Sequence, residues 1–102
     1  MIRHVVLFKL KSGVDVAAVE HVCSALKDLA NNIPGIISVS AGHDNSPEGL
    51  QRGNTHGFTV DFTNAAARDA YLPHPTHQAV GKMIVGITKG GVDGICVVDW
   101  EA

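Results

Sequence analysis

The stretch IRHVVLFKL, Ile2 to Leu10, decides the architecture. It alternates as a strand, yet both registers are apolar at the centre, with Val6 and Phe8 on one face and Val5 and Leu7 on the other. A strand of this kind is covered on both sides. The final segment, Ile95 to Trp100, is apolar on both registers in its middle in the same way. Between them, Val19, Val22, Cys23, Leu26 and Leu29 recur at helical spacing within Asp15 to Asn31 and predict one amphipathic helix. Asn31, Asn32, Pro34 and Gly35 end it, because proline cannot continue a helix and disfavours helical geometry at Ile33 before it. Ile36 to Ala41 is β-branched enough for a second strand, and the turn-rich GHDNSPEGLQRG, Gly42 to Gly53, predicts a loop. Thr55 to Phe62 alternates as a third strand, with His56, Phe58, Val60 and Phe62 on one face and Gly57, Thr59 and Asp61 on the other. Thr63 or Asn64 caps a short helix over Ala65 to Tyr71 that Pro73 stops, and Pro75 opens another towards Ile87. Gly90, Gly91 and Gly94 break that run before the last strand.

The order β-α-β-β-α-β predicts an α+β, ferredoxin-like fold, an antiparallel sheet carrying its helices on one face. Helices on one face leave the other face of strands one and four uncovered. The economical cover is a second copy, two sheets packed face to face in a twofold homodimer, a dimeric α/β barrel. With 102 residues the chain forms one domain, 1–102, burying only about 65% of its unfolded surface, so association supplements a modest core. Eight Lys and Arg against ten Asp and Glu give a net charge of −2 with no basic stripe, which argues against nucleic acid. No stretch approaches the roughly 20 apolar residues of a membrane span, and Met1 leads straight into a strand rather than a signal segment, so a cytoplasmic location is expected. Cys23 and Cys96, each in an apolar run, read as small core residues rather than a disulfide or a metal pair.

The segments HVVLFKLK (His4–Lys11), IPGI (Ile33–Ile36), NSPEGLQRGNTHGF (Asn45–Phe58) and YLPHPTHQ (Tyr71–Gln78) together resemble the stress-responsive dimeric α/β-barrel family over nearly the whole chain. The HP-x-H segment following the TH-G-F strand is the specific part of the likeness. The resemblance implies a homodimer. The best understood enzyme of the family is a polyketide cyclase that closes a linear poly-β-keto chain by intramolecular aldol condensation, with no metal or organic cofactor, through a Tyr and a His. The Tyr-x-x-His-Pro-x-His pattern puts those roles on Tyr71 and His77. The same resemblance implies a pocket between the first helix and the sheet, lined by Phe8, Val22, Leu26, Phe58 and Val60. Val22 and Leu26 stand where the cyclase has an aromatic pair, a departure that bears on the substrate.

The residues themselves suit this chemistry. An aldol closure needs a base that removes a proton beside a carbonyl, and imidazole, with an ordinary pKa near ~6.5, is matched to that task. In the first turn opened by Pro75, His77 lies at the positive end of a helix dipole, which favours a neutral, proton-accepting ring and a nearby anion. Tyr71, the only tyrosine, can donate a hydrogen bond to a carbonyl oxygen as charge develops on it. Antiparallel pairing of strands one and four brings Asp99 beside His4, where the carboxylate orients the imidazole or is merely a strand-end charge. His56 lies at the opposite end of the sheet, at the far pocket mouth or satisfying a buried donor. His74 and His77 lack a third ligand, so no metal is expected, and the resemblance implies no organic cofactor. Gly90 and Gly91 have no phosphate-binding context and read as a turn.

Three readings follow. The first is a cofactor-independent polyketide cyclase-like enzyme acting on a small hydrophobic or aromatic ligand, His77 its base and Tyr71 its hydrogen-bond donor. The second is a non-catalytic stress-responsive or ligand-binding dimer in which the histidines are structural, and a weaker third is a cofactor-free oxygenase.

Overall fold

The computed structural model describes residues 1–102. Strand β1 (Ile2–Phe8) is followed by helix α1 (Val16–Asn32), β2 (Ile36–His43), β3 (His56–Phe62), α2 (Ala65–Tyr71), α3 (Pro75–Ile87), a single 3₁₀ turn (Gly91–Gly94) and β4 (Ile95–Glu101). The four strands form one antiparallel sheet in the order β2-β3-β1-β4, the ferredoxin-like arrangement expected from the sequence. Capping fixes where each helix begins. Asp15 accepts the Ala18 N–H at 2.8 Å at the head of α1, and Asn64 accepts the Ala67 N–H at 2.9 Å at the head of α2. At the head of α3 the His74 Nδ1 accepts the Thr76 N–H at 3.1 Å, and Pro75 takes the first helical position, where no backbone donor is required.

One face of the sheet carries the core. Ile2, Val6 and Phe8 of β1 and Phe58, Val60 and Phe62 of β3 pack against Val22, Leu26 and Leu29 of α1, Tyr71 of α2, and Val80 and Ile84 of α3. The alternation read in β1 and β3 is the physical cause, since each second side chain points to the same layer. Strand β4 is different: none of its residues is buried. On the face away from the helices, Leu7, Cys96, Val98 and Trp100 stand exposed, with Val98 at 54% and Trp100 at 48%. Cys96 is therefore no core residue, because its register opposite Leu7 aims it away from the helices. Cys23 is half-buried on α1. On this outer face Arg3 donates to both oxygens of Asp61, at 2.9 and 3.2 Å, and the Ser38 hydroxyl adds a third donor at 3.3 Å. No helix is long and apolar enough to cross a membrane.

Candidate active site

The β1–β4 ladder sets His4 opposite Asp99. Nδ1 of His4 lies 2.7 Å from Asp99 Oδ1, and since a carboxylate only accepts, that nitrogen carries the proton and donates it to the hydrogen bond. The other Asp99 oxygen accepts from the Arg68 guanidinium at 3.3 Å. Arg68 belongs to α2, so the short helix is tied to the sheet edge through one carboxylate.

Tyr71 ends α2, and the Pro73–Pro75 bend folds α3 back so that the His77 ring stacks on it with centroids 4.0 Å apart and planes tilted by 38°. The His77 Nδ1 donates to the Leu72 carbonyl at 2.9 Å, which leaves Nε2 as the acceptor. His4 also meets Tyr71, edge-on at 6.0 Å. Two imidazoles therefore contact one phenol. Tyr71 is only 1% exposed and its hydroxyl has no partner in the protein; because no fully buried side-chain polar atom is left unpaired, that oxygen keeps contact with the outside. Burial raises the Tyr71 pKa well above that of a free phenol, so the group stays a proton donor at physiological pH. Desolvation lowers the His77 pKa, the Leu72 hydrogen bond opposes this, and the neighbouring His4 and His74 push it further down.

His4 and His77 both line a cleft of about 640 Å³ between α3 and the β1–β4 side of the sheet. Its walls are Val6, Phe58, Ile84, Val85, Ile95 and Val97. The cleft exists because β4 has no helix over it: Val97 points to the helix-bearing face yet is 54% exposed. The cleft lies on the α3 side of the sheet, whereas the family likeness implied a pocket on the α1 side. Over the middle of the sheet α1 packs closed, with Phe8, Val22, Leu26 and Val60 all in the core, and of the five expected lining residues Phe58 alone faces the α3 cleft. His56 lies at the other end of the sheet, stacked on Phe8 at 5.7 Å and hydrogen-bonded to the Thr55 hydroxyl at 2.8 Å, where it borders a separate pocket of about 330 Å³ beside the first turns of α1. The His74 ring is occupied in capping α3. Sequence reasoning missed Arg68, Val97 and the cleft-facing stretch Gly81–Lys82, although two glycines inside a helical run, Gly81 and Gly86, were a legible sign of an unpacked helix face.

Residues 2–102 match the model of the stress responsive A/B barrel domain. The chain belongs to that family. Within this A/B barrel family it is 29% identical over 100 residues to the stress-response A/B barrel domain-containing protein HS1 of Arabidopsis thaliana, covering 98% of this chain and 88% of that one. It is 28% identical over 80 residues to olivetolic acid cyclase of Cannabis sativa, covering 78% of this chain and 79% of the cyclase. A crystal structure of a dimeric ferredoxin-like protein of unknown function from Jannaschia sp. CCS1 superposes with a TM-score of 0.89 at 34% identity, covering 99% of this chain and 98% of that one.

Proposed function

We propose that this A/B barrel protein is a homodimeric small-molecule-binding protein whose α3 cleft carries out cofactor-independent proton transfer of the polyketide-cyclase type. The observation that carries the reading is the Tyr71–His77 pair, stacked at 4.0 Å beside an apolar cleft with the His77 Nε2 left as a free acceptor. The likeness to olivetolic acid cyclase supports it. In the reaction, His77 Nε2 takes a proton from the carbon between two carbonyl groups, and the electron pair moves onto a carbonyl oxygen that accepts the Tyr71 hydroxyl proton in a hydrogen bond. The enolate carbon attacks a second carbonyl carbon of the same chain, forming one C–C bond, and the resulting alkoxide takes the proton back from the His77 imidazolium. No electron is gained or lost overall. His4, held by Asp99, which Arg68 in turn holds, packs edge-on against Tyr71 and so positions the phenol.

The test is exchange of the acidic C–H of a 3,5-dioxo thioester for deuterium, followed by proton NMR. The wild type is expected to exchange it faster than buffer, His77→Gln to lose about 10²–10⁴-fold of that rate, and Tyr71→Phe to lose about 10²-fold. A His77→Gln protein exchanging as fast as the wild type overturns the assignment. A wild type that binds the thioester without exchanging it makes the protein a ligand-binding module instead.

The homodimer follows from the outer face of the sheet, where Leu7, Val98 and Trp100 form an exposed apolar surface. Dimeric relatives such as the Jannaschia protein support a second copy as its cover.

A further inference from the structure

Charge in the α3 cleft is one-sided. Of the 13 residues that line it, Lys82 is the only one with a permanent charge, and no Asp or Glu is among them. Asp99, the carboxylate bonded to the cleft residue His4, has both oxygens engaged, one by His4 and one by Arg68. Lys82 itself enters none of the chain's ion pairs. Lys11, by contrast, is tied to the Gly86 carbonyl at 3.0 Å. An exposed, unpaired ammonium thus stands at the border of a groove whose remaining walls are apolar side chains, a neutral amide and imidazoles, so an anion that reaches it meets no competing carboxylate. Gly81 beside it adds room, for a side-chain carbon built there meets nothing within 4 Å.

We infer that Lys82 makes the cleft selective for carboxylates: its ligands carry one carboxylate at Lys82 and an apolar body along Phe58, Ile84, Val85 and Val97. This rests on the reading of the cleft as the ligand site and narrows the substrate class to chain-like or aromatic acids. One ammonium suits a singly charged carboxylate. A phosphate needs several donors around its oxygens, and neither an arginine nor another lysine shares the groove. Lys82 is five residues beyond His77 on α3, a rise of about 7.5 Å along the axis, so the anion is held apart from the carbon that meets the base.

The experiment titrates the full chain with octanoate and with octanamide, a neutral molecule of the same shape, and follows backbone amide signals by NMR. The wild type is expected to bind octanoate about fivefold more tightly, the scale of one partly exposed ion pair. Lys82→Gln should erase the preference, Lys82→Glu should invert it, and Lys11→Gln should keep it. Equal binding of the two molecules by the wild type, or an undiminished preference in Lys82→Gln, overturns the role of Lys82 alone. Absence of shifts at Gly81, Ile84 and Val97 with either molecule overturns the cleft reading beneath it.

Discussion

At the scale of single residues, the environment of His77 makes two pH predictions with worked signs. Burial lowers its pKa below the ordinary 6.5, so the base form persists into mildly acid solution. Deuterium exchange catalysed by the protein is therefore expected to climb through a midpoint below 6.5 and to be level from about pH 7 upward, read from initial rates across pH. The linkage to stability runs the same way. His77 and His56 both have folded-state pKa values below their unfolded ones, so the unfolded chain binds more protons under acid conditions. Their contribution is complete above pH 6.5 and is lost as the pH falls towards the folded values. The melting temperature should drop on acidification from pH 7 to 5, and drop less in a His56→Gln, His77→Gln double variant. Asp61 acts only at lower pH: hydrogen bonds from Arg3, their mutual charge and the Ser38 hydroxyl hold its carboxyl below the usual range against the opposing effect of burial, so that group keeps its charge until the solution is strongly acid.

At the scale of elements, α2 and α3 meet at the proline bend that presents Tyr71 to His77, and their ends are the places to perturb. Asn64→Ala removes the side-chain acceptor of the Ala67 N–H and should cost about 1 kcal/mol in denaturant melts. Because α2 carries both Tyr71 and Arg68, the exchange rate should fall with it. Gly81 separates stability from room in the cleft. Its helical position has open space where a methyl would sit, so Gly81→Ala should stabilise the protein by about 0.5–1 kcal/mol. Gly81→Leu projects a larger side chain into the cleft and should weaken octanoate binding while the protein remains folded; unchanged affinity would show that the ligand does not run along α3. Gly94 is the opposite case, since a side-chain carbon there would run into the Lys89 carbonyl and Thr88. The turn into β4, and with it the strand bearing Asp99, needs glycine at that point.

At the scale of the whole molecule, one chain leaves its sheet half-covered. Leu7, Val98 and Trp100 form an apolar surface on the outer face, and the ion pair of Arg3 with Asp61 lies at one end of it, beside Trp100. Placing a carboxylate there, as in Val98→Asp, should turn a dimer into a monomer in analytical ultracentrifugation, because the charge would be buried unpaired between two sheets. The monomer should also melt at a lower temperature that no longer depends on protein concentration.

How much of this was legible in the sequence follows from which forces are local. Periodicity, prolines and capping side chains act within a few residues, so strands β1 and β3, helices α1 to α3 and the antiparallel meeting of His4 with Asp99 are legible in the sequence alone. The double apolar register of Val5, Val6, Leu7 and Phe8 likewise showed that one sheet face needs a cover from outside the chain. The position of the cleft was beyond reach, because Phe8, Val22, Leu26 and Val60 look the same on paper whether they line a pocket or fill a core. Only the packing of α1 onto the sheet closes that space, and only the lack of a helix over β4 opens the other one. The stacking of Tyr71 on His77 depends on the angle of the Pro73–Pro75 bend, and the isolation of Lys82 depends on which carboxylates are already taken. Spacing along a chain determines which faces its elements present, whereas distances between faces come from the packing of side chains from distant segments.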